Sequence, residues 1–381
     1  MRVFLPLLGL VALGACHTEH HDESQDAGPG GGESFDRKAA AVTVVTGAVL
    51  PFQSTFTTSL NALKSAVDAR DLDGSKTAWG ESMSAWQRLE ALQFGPAGEE
   101  GSFAGGGGWG DQIHSWPLTN TCAIERAYVD PTAKDPAWFD AKLVNIYGLD
   151  ALEYVLYEAP TQTTCPAIVN VQPQFDALGA DGLEQSRWAY ADAVVANLIA
   201  DASALDAAWQ GYTALIEAAG TDGSDFDKER CPLDQVAAAL FYVDQQVKDA
   251  KLAIPGGLSP ECENENCPDR VEHPWSQRSR EALIANLEGF HAAFEAGGLF
   301  AILEAHSDEG KTLAAELKSS TETAIAALQA ETTPLAELVV AQPQRVAEIH
   351  TKVRAITTLF KSQLVSLINL ELPNEGAADN D

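Results

Sequence analysis

Positively charged residues are scarce in this sequence. The chain of 381 residues has 24 lysines and arginines against 55 aspartates and glutamates, which gives a formal net charge of −31 at pH 7. A field of this sign repels nucleic acid and anionic lipid surfaces, and it attracts cations. The composition therefore excludes nucleic acid as a partner, although a solvated acidic surface explains most of these charges without any ligand.

Long apolar runs are missing beyond the N-terminus, and no later stretch reaches the roughly 18 apolar residues that a transmembrane helix needs. The N-terminus has one positive charge, Arg2, then a short apolar run over 3–13 and the ending Leu13-Gly14-Ala15-Cys16. Small residues before a cysteine at the end of such a run are typical of a lipoprotein signal peptide. We therefore predict a signal peptide at 1–15 and a lipid on Cys16 as the only membrane attachment.

Apolar side chains are almost absent from the segment that follows. Residues 16–34 are rich in glycine, aspartate, glutamate and histidine, so they cannot bury enough surface to fold, and we predict a flexible tether after the lipidated Cys16. His17 stands where an aspartate would signal inner-membrane retention. We expect an outer-membrane anchor with the body in the periplasm, and display on the cell surface is the alternative.

Cysteines are few and their number is odd once Cys16 carries a lipid. The five that remain are Cys122, Cys165, Cys231, Cys262 and Cys267. In an oxidising compartment we expect two disulfides and one free thiol. Cys262 and Cys267 lie in a loop without the second cysteine pair of a zinc site, so a disulfide within that loop is the better interpretation.

Sustained alternation of apolar and polar residues, the mark of a half-buried strand, is also missing. Apolar residues instead recur at alternating spacings of three and four, which places them along one face of a helix. We call such a row a seam. The clearest seams are Val45, Val49, Phe52, Phe56, Leu60, Leu63 and Val67; Trp188, Ala191, Val195, Leu198, Ala202, Leu205, Trp209, Tyr212 and Ile216; and Val346, Ile349, Val353, Ile356, Phe360, Leu364 and Leu367.

These seams predict an all-α fold of two packed up-and-down helical bundles with a cleft between them. A shorter seam contains Val236, Leu240, Val243 and Val247. The glycine- and aspartate-rich segment 219–227 is the predicted break between the bundles. We therefore assign residues 35–222 to an N-terminal bundle and residues 223–381 to a C-terminal bundle.

Two carboxylates occupy a helix that is otherwise apolar around most of its circumference. Asp150 and Glu153 lie within the predicted helix 142–158 and share a face because they are three residues apart. A buried carboxylate costs several kcal/mol unless a cation, a metal or a hydrogen-bond donor compensates it. These two acids are therefore candidate functional residues.

A third carboxylate lies on another seam. Trp79, Met83 and Trp86 follow the helical spacing, and the next seam position is Glu90. The loop between the two helices adds Asp111 and His114. We predict an oxygen-rich metal site formed by Glu90, Asp150 and Glu153 with His114 or Asp111 nearby, which suits a hard or borderline metal such as iron.

The alternative is structural, and in it the acids pair with Arg88, Arg126 or Lys142, or cap helix ends. Catalytic motifs are missing: the sequence has no His-Glu-x-x-His helix motif and no Gly-x-Ser-x-Gly elbow. The sequence thus favours a binding protein over an enzyme.

The same residues resemble the imelysin family of helical periplasmic or outer-membrane-anchored bacterial proteins. The likeness covers most of the mature chain and includes Trp86-x-x-x-Glu90, Ile113-x-x-Trp116-Pro117 and the second-half segment 272–276. The family motif Gly-x-His-x-x-Glu stands here as Gly148-Leu149-Asp150-Ala151-Leu152-Glu153.

The resemblance implies two bundles with the motif helix lining the cleft, and a site of Glu90, Asp150, Glu153 and Glu272. It also implies one of two activities, metallopeptidase or iron uptake. The motif histidine is Asp150 here, which weakens a zinc peptidase because that mechanism needs the imidazole as a ligand. Three alternatives remain for this position. His114 or His273 can replace the motif histidine, Asp150 can bind a harder metal, or the metal site can be lost. His291, beside an apolar stripe, is expected to be a core or boundary histidine.

Three functions follow as hypotheses. The leading one is a tethered, non-enzymatic binding protein that holds iron, an iron-containing small ligand or another divalent metal for uptake, with a transporter as its further partner. The second is a metal-dependent peptidase. The third is a structural or partner-binding lipoprotein whose acids form internal salt bridges.

Overall fold

The computed structural model describes residues 35–371. The predicted signal peptide, the lipidated Cys16 and the tether lie outside the described residues, so they stay predictions.

Helices account for the regular structure of the described residues, and no strand occurs among them, which confirms the all-α class. The first half contains α1 (Arg37–Val44), α2 (Leu50–Asp68), α3 (Leu72–Glu90), α4 (Thr121–Val129), α5 (Pro136–Phe139), α6 (Leu149–Tyr157) and α7 (Gln172–Glu217). The second half contains α8 (Cys231–Leu240), α9 (Ser279–Glu295), α10 (Leu299–His306), α11 (Asp308–Gln329), α12 (Leu335–Ala341), α13 (Pro343–Leu359) and α14 (Val365–Leu367).

Three further stretches are π-helical, namely Val45–Val49, Val243–Ala253 and Phe360–Leu364. Short 3₁₀ turns occupy Gly110–Gln112, Pro131–Lys134, Val144–Ile146, Ala167–Val169 and Pro268–Arg270. π-helical segments are uncommon and often occur at functional sites. The stretch Val243–Ala253 carries the buried lysine Lys251.

The helices form where the seams predicted them. The predicted helix 142–158 is an exception, because only Leu149–Tyr157 is α-helical and a 3₁₀ turn at Val144–Ile146 precedes it. Phe56, Leu60 and Leu63 of the first seam are fully buried, as are Val346 and Ile349 of the last. Local signals fix the helix starts: the Asp71 side chain accepts a hydrogen bond from the backbone N–H of Gly74 at the start of α3. Apolar periodicity and capping therefore agree at the same boundaries.

The helices pack as two bundles. In the first, α2 packs against α3 and α7, and α6 lies against α3. In the second, α9, α11 and α13 pack in succession, and the π-helical stretch Val243–Ala253 lies against α9 and α13. The main contact between the bundles is the packing of α3 on α9. Residues at the end of α3 and along α9 therefore meet at the junction.

One continuous helical stretch, Arg37–Asp68, is long and apolar enough to cross a membrane by length and composition. The expectation that no later stretch has this property is therefore wrong. Phe56, Leu60 and Leu63 of this stretch are buried against the neighbouring helices, and its exposed positions include Ser54 and Thr55. A buried apolar stripe opposite a polar face is typical of a core helix in a globular bundle.

Two disulfides join described residues, and the loop disulfide Cys262–Cys267 is the one predicted from the sequence. The other, Cys122–Cys165, ties the start of α4 to the loop after α6. No cysteine among residues 35–371 is free. The expected single free thiol is thus not found in the described part of the chain.

The close approach of α3 and α9 gives a testable prediction. A Cβ on Gly289 would lie 2.1 Å from the carbonyl oxygen of Arg88, so Gly289→Ala forces the two helices apart. We expect it to lower the free energy of unfolding by about 1–3 kcal/mol. Gly211→Ala is the matched control because a Cβ there meets nothing within 4 Å, and it should be neutral or stabilising by up to about 1 kcal/mol. Urea unfolding measures both, and equal stability of the two variants would contradict the tight crossing.

Candidate functional site

The two carboxylates of α6 are buried and hold two different loops. Asp150 Oδ2 accepts hydrogen bonds from the backbone N–H of Ser115 at 2.7 Å and from its hydroxyl at 3.1 Å. Glu153 Oε1 accepts a hydrogen bond from the backbone N–H of Ser276 at 2.7 Å. Because the acids lie one helical turn apart, α6 fixes two loops that are distant in sequence.

Each of these loops brings a buried histidine to the same place. His114 Nε2 lies 3.0 Å from Asp150 Oδ1, and its Nδ1 is in close contact with Glu90 Oε1. His273 Nδ1 lies 3.2 Å from Glu153 Oε2. The two imidazole centroids are 6.1 Å apart. Each carboxylate of α6 therefore holds one loop N–H and one imidazole.

Glu90 ends α3 at the junction of the bundles. Its Oε1 accepts a hydrogen bond from the indole N–H of Trp86 at 3.0 Å, and its Oε2 accepts one from the hydroxyl of Tyr242. Both oxygens thus have partners even though the side chain is almost fully buried. The sequence placed Glu90 correctly because its seam position points it into the core.

Lys251, on the π-helical stretch Val243–Ala253, is buried among oxygens. Its ammonium lies 3.0 Å from Glu272 Oε1 and 3.2 Å from Glu90 Oε2. It also donates hydrogen bonds to Gln87 Oε1 at 2.7 Å and Asn286 Oδ1 at 2.9 Å. This one cation therefore neutralises acids from both halves of the chain.

Two amides complete the junction. Gln87 Nε2 donates to Glu272 Oε1 at 2.9 Å, and Asn286 Nδ2 donates to the backbone oxygen of Gln87 at 2.7 Å and to its side-chain oxygen at 2.8 Å. These bonds link α3, α9 and the loop that carries Glu272. A buried polar network of this kind is stable only when its members find partners.

The basic partners expected from the sequence are elsewhere. Arg88 pairs with Glu288 at 2.7 Å, Lys142 lies over the ring of Trp138, and Arg126 is exposed. Lys251 was not predicted, although a signal existed. It stands four residues after Val247, the last member of a predicted seam, just as Glu90 stands four after Trp86.

The structure brings together all five site residues predicted from the sequence: Glu90, His114, Asp150, Glu153 and Glu272. Asp111 does not join them; it is exposed and lines a separate groove with Gln112 and Tyr147. His291 contacts the ring of Phe300, as expected for a boundary histidine. His273, which the sequence offered only as a substitute, is a central member of the cluster.

Three side chains could hold a metal ion. One ligand atom each from His114, Glu272 and His273 lies within 4.8 Å of the others. Nε2 of both histidines and Oε2 of Glu272 are buried and have no hydrogen-bond partner among the described residues. His114 Nε2 nevertheless has a charged neighbour, Asp150 Oδ1, at 3.0 Å. Unsatisfied buried atoms cost free energy, and a metal cation that displaces the histidine protons would satisfy them.

The donor set fits a borderline metal after a small movement. Nitrogen and oxygen ligands bind such ions at about 2.0–2.2 Å, so donors around one ion lie at most about 4.4 Å apart. The ligand atoms here span 4.8 Å or less, so shifts of under about 1 Å would close the site. Two imidazoles and a carboxylate suit zinc, iron, copper or nickel more than calcium or magnesium.

Electrostatics keeps the cluster charged. Burial alone would lower the pKa of the His114 imidazole, but the Asp150 and Glu90 carboxylates hold that pKa well above its usual value. Burial also opposes charge on His273, yet Glu272 and Glu153 raise its pKa. The pKa of Glu90 is lowered: burial raises it, and His114 and Lys251 outweigh that effect. The pKa of Asp150 is also lowered, since His114 outweighs its burial, so the shifts of His114, His273, Glu90 and Asp150 all favour the charged forms.

These features define an all-helical protein of two bundles that enclose a buried cluster of histidine, carboxylate and lysine at their junction. Residues 52–363 match the family model for imelysin, peptidase M75. The chain therefore belongs to the imelysin family, and the resemblance read from its motifs is confirmed.

Two solved structures are similar to this chain. An imelysin-like protein from Psychrobacter arcticum is 18% identical, has a TM-score of 0.68, and the match covers 89% of this chain and 98% of that one. A candidate iron-regulated protein A precursor from Parabacteroides distasonis is 17% identical, has a TM-score of 0.65, and the match covers 88% and 98%. At such identities the likeness shows the fold. No curated protein matches the chain.

The buried lysine gives a second prediction. Lys251→Met leaves Glu90 and Glu272 without their shared cation, and breaking a buried pair in this way costs about 3–5 kcal/mol of unfolding free energy. Lys228→Met, at an exposed position, should change stability by less than about 0.5 kcal/mol. Chemical unfolding at pH 7 measures both. A Lys251→Met variant as stable as the parent would show that the acids do not depend on the ammonium.

The raised pKa of His114 gives a third prediction. The folded state holds the His114 proton more tightly than the unfolded chain, whose histidine titrates near pH 6.5. This stabilisation is complete below about pH 6.5 and is lost as the pH rises through the higher pKa of the folded state. In metal-free buffer the unfolding free energy should therefore fall with pH in that window, and less steeply in His114→Gln. A parent curve that rises across the window would contradict the assignment.

Proposed function

We propose that the protein binds a borderline divalent metal cation, with iron as the cargo, at the junction of its bundles and that it does so without catalysis. The supporting observation is that ligand atoms of His114, Glu272 and His273 lie within 4.8 Å of one another in a largely buried cluster. The four buried carboxylates at this point, Glu90, Asp150, Glu153 and Glu272, also favour a cation.

In this proposal the acids of the family motif act on the histidines and do not bind the metal themselves. Asp150 contacts His114, and Glu153 contacts His273. A carboxylate behind an imidazole fixes the orientation of the ring and increases its basicity, as it does around many metal ions. The histidine lost from the motif at position 150 is thus replaced by two imidazoles from loops.

The burial of the ligands disfavours a peptidase. The side chains of Glu272 and His273 are 1% and 0% exposed, so an extended polypeptide cannot reach them in this conformation. A cation needs only a transient opening of the two loops that Asp150 and Glu153 hold at Ser115 and Ser276.

Export and tethering complete the proposal. A lipid on Cys16 would anchor the protein to the outer membrane and leave its folded part in the periplasm. The segment up to residue 34 would let that folded part reach tens of ångströms from the membrane surface. The anchor would keep a metal carrier close to a transporter that accepts its metal. An enzyme that acts on a diffusible substrate would gain little from the same anchor. The iron-regulated description of one structural neighbour agrees with iron as the cargo.

Titration calorimetry of the purified chain tests the metal site. We expect Zn²⁺, and Fe²⁺ without oxygen, to bind at one equivalent with micromolar or tighter affinity, and Ca²⁺ to bind far more weakly because two donors are nitrogens. His114→Ala and His273→Ala should each lower the affinity at least about 100-fold, and Asp150→Asn about 10–100-fold.

His306→Ala is the control, because this partly buried histidine ends α10 and is not among the grouped ligands; it should leave the affinity unchanged. Affinity weaker than high micromolar in the parent, or equal loss in His306→Ala, would reject the site.

A further inference from the structure

A groove on the first bundle is separate from the metal cluster. It has a volume of about 550 Å³ and runs along α2 and α3, with Ser54, Thr58, Glu81 and Arg278 among its lining residues. Sites for small ligands have volumes of about 300–1,000 Å³. The groove can therefore accept a molecule with the size of an amino acid or a dipeptide.

Arg278 presents its guanidinium to this groove without a partner. It makes no hydrogen bond or ion pair through that group with any residue between 35 and 371, although the protein has more than twice as many acids as bases. Glu81 also lines the groove, and no ion pair within 4 Å joins it to Arg278. The two opposite charges are therefore both available to a ligand, whereas Arg88, which also lines the groove, is paired with Glu288.

Gly80 creates the place where the guanidinium lies. A Cβ at this helical position would be 2.8 Å from Cζ and 2.9 Å from Nε of Arg278. Glycine inside a helix is unfavourable by about 1 kcal/mol relative to alanine. An alanine at position 80 would therefore push the guanidinium away from α3.

Three hydroxyls along the groove, those of Thr55, Thr58 and Ser59, are acceptors. Thr55 and Thr58 donate to the backbone oxygens of Pro51 and Ser54 at 2.9 and 2.8 Å, and Ser59 donates to that of Phe56 at 2.8 Å. Their hydrogens are therefore occupied, and only lone pairs remain for a ligand. An ammonium group has three donors and no acceptor, so it suits this wall and the Glu81 carboxylate.

From this arrangement we infer a binding site for a small zwitterion of the amino-acid or short-peptide class. The ligand carboxylate pairs with Arg278, whose planar fork matches its geometry, and the ligand ammonium faces Glu81 and the hydroxyls of α2. A neutral zwitterion also avoids the repulsion that the net charge of −31 exerts on anions. The inference does not depend on the proposed metal site.

Three related probes test it by titration calorimetry or ligand-observed NMR on the full chain. They are L-alanyl-L-alanine, its N-acetyl derivative without the ammonium, and its C-terminal amide without the carboxylate. We expect the zwitterion to bind at about 1 mM or tighter and each derivative at least about tenfold more weakly, since charged hydrogen bonds are lost.

Variants separate the groove from general folding effects. Arg278→Gln should weaken zwitterion binding at least about tenfold. Gly80→Ala should weaken it several-fold while leaving the helix at least as stable, because the added methyl displaces the guanidinium. Arg270→Gln, at an exposed position outside the groove, is the control and should bind like the parent.

Three results would overturn the inference: no binding of the zwitterion, equal binding of either derivative, or equal binding by the parent and Arg278→Gln. Zinc titration of the same variants should match the parent, which distinguishes failure of this site from failure of the metal site.

Discussion

The ammonium of Lys251 is the interaction on which the junction of the two bundles depends. It brings together a carboxylate from α3, a carboxylate from the loop before α9 and an amide from α9. Each of these groups would be strongly unfavourable in a dry interior if it were alone. A single cation from the π-helical stretch 243–253 compensates them. The packing of α3 on α9 and the geometry of the site therefore depend on the same ammonium group.

Lys251 compensates one part of the site, because Glu90 and Oε1 of Glu272 are satisfied there by hydrogen bonds and charge. The Nε2 atoms of His114 and His273 lie 3.7 and 3.8 Å from that same Oε1 of Glu272. Oε2 of Glu272 has no hydrogen-bond partner among the described residues. The motif helix α6 positions both histidines by holding their loops through Asp150 and Glu153.

Much of the fold could be predicted from the sequence, since helix formation is governed by short-range periodicity. The spacing of Phe56, Leu60 and Leu63 already identifies a buried stripe, and the same spacing turned Glu90 inward. Lys251 continued a seam in the same way and was overlooked because a lysine at such a position is usually taken as the end of the apolar pattern. The helical stretch 37–68 has the hydropathy of a membrane span, yet its seam spacing already predicted a bundle helix, and Phe56 and Leu60 on that seam are buried.

The sequence by itself determined the helical class, the seams and the inward direction of Glu90, Asp150 and Glu153, because each depends on neighbours within one or two turns. Only the tertiary structure decided which groups meet: His273 with Glu153 across 120 residues, Glu272 with Gln87 across 185, and Lys251 with both Glu90 and Glu272. Such meetings follow from how loops close and how two bundles cross. Local spacing does not encode these long-range contacts, because the same seams are compatible with many ways of packing the helices. The pairing of the buried charges favours one of these arrangements.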